Sequence, residues 1–129
     1  MIFLDASFII YFLQGEDKAS ANIIENEDLY ILPSQFMEVL VFFQRKSFDL
    51  NRIRPFLEDL ILVHPNISQI YLAALLYGKA RKEKSKTSYS DAILAAMVID
   101  HRARLASLDN DFRFLDLTYH GNDLWTSKE

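Results

Sequence analysis

Four carboxylates stand where chemistry could be done. Asp5 closes the apolar run Met1-Ile2-Phe3-Leu4, and Asp109 follows Arg104-Leu105-Ala106-Ser107-Leu108, so each reads as an acid ending a buried strand. Between them, Glu38 is the only charge in a nearly all-apolar helix before Arg45, and Asp91 shares a helix face with Leu94, Ala95 and Val98. Asp111 follows Asp109 closely as a fifth acid. Each has an ordinary explanation. Asp is a favoured helix N-cap, which suits Asp5 ahead of Ala6 to Leu13; Glu38 could pair with Arg45; and Ser88 with Asp91 resembles a capping box. Independent caps do not explain all four.

Two full charges about 4 Å apart repel by roughly 4 kcal/mol at an effective dielectric near 20. A cluster of such acids therefore needs protons or a cation. Oxygen-only ligands favour Mg²⁺ or Mn²⁺; the chain has no cysteine, and His64, His101 and His120 are scattered, which argues against zinc. A cation held by a few carboxylates and several waters can activate water and steady phosphate oxygens. The chemistry implied is metal-dependent phosphodiester hydrolysis.

The elements that must position these acids follow from periodicity. Apolar runs at 1–4, 29–32, 61–64 and 104–108 read as strands, and Leu115, Leu117 and Tyr119 as an edge strand. Helices are expected over 6–13, 18–26, 33–46 (opened by Pro33 and buried throughout), from Asp49 to about Leu60, over 67–80, and from Ser90. In the helix over 67–80, Ile70, Leu72, Ala73, Leu75 and Leu76 supply the apolar face. This alternation predicts an α/β fold, a mainly parallel central sheet flanked by helices, in one domain over 1–129. In open sheets of this kind the ligand crevice lies beyond the carboxyl ends of the strands.

Composition narrows the class. The 129 residues suit one domain that buries about two-thirds of its unfolded surface. The lack of cysteine suits a reducing cytosol. The apolar start has no basic leading region, contains Asp5, and meets Gly15-Glu16-Asp17 before a span could accumulate, so a soluble chain with no membrane span is expected. Net charge is 14 − 18 = −4, but setting four site acids aside leaves 14 − 14 = 0, so a phosphate-bearing substrate is not excluded. The basic stretch containing Arg81, Lys82, Lys84 and Lys86 is either a solvated helix end or a phosphate-contacting rim.

The chain resembles the PIN-domain ribonucleases, specifically the VapC-type toxins of toxin/antitoxin pairs, along nearly its whole length. Leu4-Asp5-Ala6-Ser7 matches the first motif, and Pro33-Ser34-Gln35-Phe36-Met37-Glu38-Val39-Leu40 the helix bearing the glutamate. The most specific match is Ser90-Asp91-Ala92-Ile93-Leu94-Ala95-Ala96, followed by Ser107-Leu108-Asp109-Asn110-Asp111-Phe112. The turn His101-Arg102-Ala103 lacks the glycine that many relatives have there.

The resemblance implies that Asp5, Glu38, Asp91 and Asp109 are catalytic acids holding Mg²⁺, with Mn²⁺ as substitute. Asp111 would stand as an outer ligand, and Ser107 in the place of the family's Ser or Thr. Ser7, Ser107, Arg81, Lys82, Lys84 and Lys86 become substrate-side candidates. It further implies a cytoplasmic endoribonuclease, the toxin of a type II pair, with an RNA substrate, a VapB-like antitoxin covering the groove, and a homodimer. Phe36, Phe42 and Phe43 are either core or a docking surface. Two alternatives stand beside this reading. One is a PIN-like module that binds RNA or protein without cutting; the other is a receiver-like Mg²⁺-binding signalling domain, which would need a strand-end Lys not evident here.

Overall fold

The structure, a computed structural model, describes residues 1–15, 25, 28–83, 85–119 and 124–127. At its centre is strand β1 (Ile2–Leu4), whose three residues are at most 1% exposed. Strand side chains alternate between faces. Ile2 and Leu4 therefore pack with Leu29, Ile31, Val39 and Phe43 on one side, while Phe3 packs with Leu76, Ala95 and Leu105 on the other. A strand covered by helices on both faces must be apolar at every position, which is why the chain opens on an unbroken apolar run.

Helix α1 (Ala6–Leu13) follows, then β2 (Leu29–Ile31) and α2 (Pro33–Arg45), which starts on Pro33 as expected. The segment after Asp49 is not one helix. A 3-10 turn (Leu50–Arg52), capped by the Asp49 side chain, precedes the short α3 (Arg54–Glu58), which carries Pro55 in its first turn, where a missing amide costs least. Strand β3 (Ile61–Leu62) is brief and exposed at the sheet edge. Then come α4 (Ile67–Lys82), α5 (Tyr89–Asp100), β4 (Arg104–Ala106), a 3-10 turn (Asn110–Leu115), β5 (Leu117–Tyr119) and β6 (Leu124–Ser127).

Among the described residues the strand order is β3-β2-β1-β4-β6-β5. β1, β2, β3 and β4 pair in parallel; β6 pairs antiparallel with β4 and β5. The mainly parallel sheet is as expected, and β5 forms its edge. The insertion of β6 between β4 and β5 was not anticipated, because Leu124 to Ser127 carries no alternation long enough to read as a strand. The helix expected over 18–26 lies outside the described residues apart from Glu25.

Helix α2 departs from the sequence-based expectation of full burial. Only Gln35, Val39 and Phe43 are buried, and Met37 is 66% exposed, because the helix lays one face on the sheet layer and turns the other outward. Phe43 belongs to the core, with Phe36 and Phe42 packed partly against it.

Helix α4 has two apolar stripes. Gln69, Ala73, Leu76 and Ala80 are buried against α5, whereas Ile67, Ile70, Tyr71 and Leu75 are 49–75% exposed at i, i+3, i+4 and i+8. Ile70 and Leu75, two of the apolar residues expected along this helix, thus lie on its exposed side. With both sides apolar, hydrophobicity alone does not say which one faces inward.

Helix α5 ends in a left-handed turn. Arg102 takes φ 51°, its N–H donates to the Ile99 carbonyl, and the Ala103 N–H donates to the Val98 carbonyl, the bond pattern of a Schellman cap. This is where a glycine would be least strained. His101 rests beside the Phe3 ring at 5.7 Å, a structural role. Among the described residues no helix is long and apolar enough to cross a membrane.

Candidate functional site

The chain runs outward from β1 to β2 and β3, then returns to place β4 on the other side of β1. The reversal opens a crevice between the carboxyl ends of β1 and β4, the general ligand position in open α/β sheets. Asp5 stands at one lip and Ser107 to Asp109 at the other, joined by the Asp5 N–H donating to the Ala106 carbonyl at 3.1 Å.

Asp5 occupies the N-cap position of α1, yet its side chain makes no capping bond. Instead its Oδ2 accepts from Ser7 Oγ at 2.5 Å and from Ser107 Oγ at 2.6 Å. The serine oxygens in turn accept from backbone: Ser7 from the Leu108 N–H at 3.2 Å, Ser107 from the Asp109 N–H at 2.9 Å. Both hydroxyl protons are therefore committed to Asp5, and the two turns are clasped around its carboxylate. Asp5 is only 4% exposed. Burial pushes its pKa above the usual carboxylate value; the two hydroxyls pull against that rise and the Asp109 charge adds to it.

Asp91 sits in the first turn of α5, where its N–H donates to the Ser88 side chain at 3.1 Å. The Ser88 cap read from the sequence is thus present, and the Asp91 carboxyl is still close enough to Asp5 and Asp109 to feel their charges. Its pKa is pushed up to about 6, chiefly by burial, then by the charges of Asp5 and Asp109 against the lowering hydrogen bonds of Ser88.

Glu38 is not buried as expected. It is exposed on α2, at the rim of a groove of about 580 Å³ shared with Ile10, Met37 and Arg45. Its pKa is nonetheless raised, by partial desolvation and then by the Asp5 charge. Asp109 caps the following 3-10 turn, its Oδ1 accepting the Asp111 N–H at 2.9 Å. Asp109 rather than Asp111 is the acid whose charge reaches Asp5 and Asp91.

The structure thus brings Asp5, Glu38, Asp91 and Asp109 into one electrostatic neighbourhood. The donor set is all oxygen. Among the described residues no three acidic or histidine side chains converge closely enough to hold an ion by themselves. Oxygen donors as a class suit hard divalent cations.

Of the basic candidates, Arg81 donates to the Ser85 carbonyl at 3.1 Å and lies over the Tyr77 ring at 5.9 Å, so it braces its own helix end. Lys82 and Lys86 are exposed, and Lys84 lies outside the described residues. Gln35 escaped the sequence reading. It is fully buried, accepts the Ala6 N–H at 2.8 Å and donates to Ser90 Oγ at 2.9 Å. The available signal was a long polar side chain early in an otherwise apolar helix.

Solved structures share this fold at low identity. A toxin–antitoxin complex chain from Klebsiella pneumoniae is 20% identical, with TM-score 0.68 over 87% of this chain and 90% of that one. VapC20 of Mycobacterium tuberculosis, described as a Sarcin-Ricin loop cleaving toxin, is 15% identical, with TM-score 0.67 over 88% and 93%. FitAcB from Neisseria gonorrhoeae is 17% identical, with TM-score 0.59 over 90% and 94%. Among curated protein sequences none matches the chain. The PIN domain family model matches residues 2–116, spanning all the acids named above, and on that match the chain belongs to the PIN-domain family.

Proposed function

We propose that this protein is a metal-dependent endoribonuclease, the toxin of a type II toxin/antitoxin pair acting in the cytoplasm. The observation that carries the reading is the electrostatic coupling of Asp5, at the sheet's switch point, to Glu38, Asp91 and Asp109, where burial and neighbouring charge raise Asp91 to about 6. Family membership sets aside the receiver-like alternative. VapC20's description as a Sarcin-Ricin loop cleaving toxin supports RNA as the substrate class.

In this reading Asp5, Asp91 and Asp109 hold the cation with Glu38 at the rim, and Asp111 supports Asp109 through its backbone N–H. A divalent cation would supply the positive charge that lets these acids ionise together and would polarise both water and phosphate. Ser7 and Ser107 orient the Asp5 carboxylate by donating to a single oxygen, which leaves Oδ1 free of them. Lys82 and Lys86 stand as phosphate contacts at the end of α4 and beyond it.

The test is cleavage of a mixed RNA pool by the full chain. Internal cuts are expected with Mg²⁺ or Mn²⁺ and none in excess chelator. RNA retained intact on the protein would instead support the non-cutting PIN-like module.

Two surfaces support the proposed partners. The apolar groove beside Glu38 and Met37 is placed to receive an antitoxin segment covering the site, and one of the similar structures is itself a toxin–antitoxin complex. The exposed α4 stripe of Ile67, Ile70, Tyr71 and Leu75 suits a second copy, since contiguous apolar surface of this kind marks contact sites. Leu75→Glu is expected to convert a dimer to a monomer in light scattering with the fold unchanged by circular dichroism. A dimer that persists at the same concentration would place the interface elsewhere.

A further inference from the structure

Gln35 gives up the role its position favours. As the third residue of α2 it could reach back to its own helix start, as a Gln at that position does in a capping box. Instead α2 has no side-chain cap, and the Gln35 carboxamide crosses to two other elements. Its oxygen takes the Ala6 N–H, a first-turn amide of α1 left without an intrahelical partner. Its nitrogen donates to Ser90 Oγ, which lies 2.7 Å from Ser34 Oγ.

Ala6 directly follows Asp5, Ser90 directly precedes Asp91, and Glu38 lies one helical turn beyond Gln35. One buried carboxamide therefore ties together the neighbours of three acids carried by three separate elements. The donor at Ala6 fixes which end of the amide is oxygen, so the nitrogen must face Ser90. Both ends are bonded, which offsets the cost of burying the group.

Building on the functional reading above, we propose that Gln35 is a positioning residue for the acid cluster. By accepting from the Ala6 amide it pins the first residue of α1, and with it the backbone on which the Asp5 carboxylate is carried. By holding Ser90 it sets where Asp91 stands relative to Asp5. Cation affinity should then depend on Gln35 although it ligates nothing, as it does on outer partners that orient metal-binding groups.

The experiment uses the full chain with Gln35→Met, which keeps length and shape without hydrogen bonds, and the pair Ser90→Ala and Ser90→Thr. Mn²⁺ affinity is read by titration calorimetry, and kcat and KM on a random single-stranded RNA pool. Gln35→Met is expected to weaken Mn²⁺ binding and lower kcat by about tenfold or more, with KM within about twofold of wild type. Ser90→Thr, which retains the hydroxyl, should stay near wild type while Ser90→Ala loses affinity.

A wild type that binds Mn²⁺ and cuts RNA, with Gln35→Met indistinguishable from it, overturns this inference alone. A wild type that does neither overturns the functional reading and this inference with it. If Gln35→Met does not fold, the serine pair decides: equal Mn²⁺ affinity in Ser90→Ala and Ser90→Thr overturns the proposal.

Discussion

Asp91→Asn is expected to abolish the proposed RNA cleavage and to make the metal-free protein more stable at neutral pH. The two effects share one cause. Asp91 is held near other acids and away from water, so its folded pKa is about 6 against an ordinary 3.8. The folded state therefore binds the proton more tightly than the unfolded chain between those values. The stability that the protonated group contributes is complete below about 3.8 and is lost as pH rises through about 6.

Fully converted, that difference is on the order of 3 kcal/mol at neutral pH. Solvent reaches this part-buried group and screens some of it, so a gain of about 1–2 kcal/mol is expected for the asparagine variant, or about 3–6 °C in Tm. Thermal melts of metal-free wild type and variant from pH 4 to 8 check this. The wild type should lose stability relative to the variant as pH rises, and the curves should approach one another at low pH. A variant that is less stable at pH 7 would mean that Asp91 serves the fold mainly as the partner of Ser88.

Mn²⁺ is expected to stabilise the wild type as well. A ligand that binds only the native state adds about 2.7 kcal/mol at a hundredfold excess over its dissociation constant, which for a chain of this size is several degrees in Tm. The shift should vanish in Asp91→Asn, since removing one acid both weakens the cation's attraction and relieves the repulsion that the cation would offset. Equal shifts in both proteins would place the cation away from Asp91. Melts at neutral pH with Mn²⁺ and with chelator are sufficient, and no RNA target need be known.

The elements that hold the acids were largely legible in the chain. β1 and α1 are plain because an apolar run stops on Asp5 and helical spacing begins at Ala6. The order of the acids, and the strands that two of them follow, are local facts of sequence. Less legible was which side of each helix faces inward. Glu38 looked buried because its neighbours are apolar, yet α2 rests only one face on the sheet layer. Ile70 and Leu75 read as part of one apolar face, yet they belong to a second apolar stripe of α4 that is exposed.

By itself the sequence determined the mainly parallel α/β pattern, the strand-end positions of Asp5 and Asp109, and the helix start that carries Asp91, because these depend on residues within a turn or a strand of one another. Only the tertiary structure decided that β4 lies beside β1, so that Asp5 and Asp109 follow neighbouring strands. It also decided that Ser7 and Ser107 spend their protons on Asp5, and that Gln35 reaches Ala6 and Ser90 rather than its own helix end. The physical reason is range. Periodicity and capping act within about four residues along the chain, whereas a hydrogen bond from Ser107 to Asp5 joins groups 102 residues apart and exists only once strand order has set them side by side.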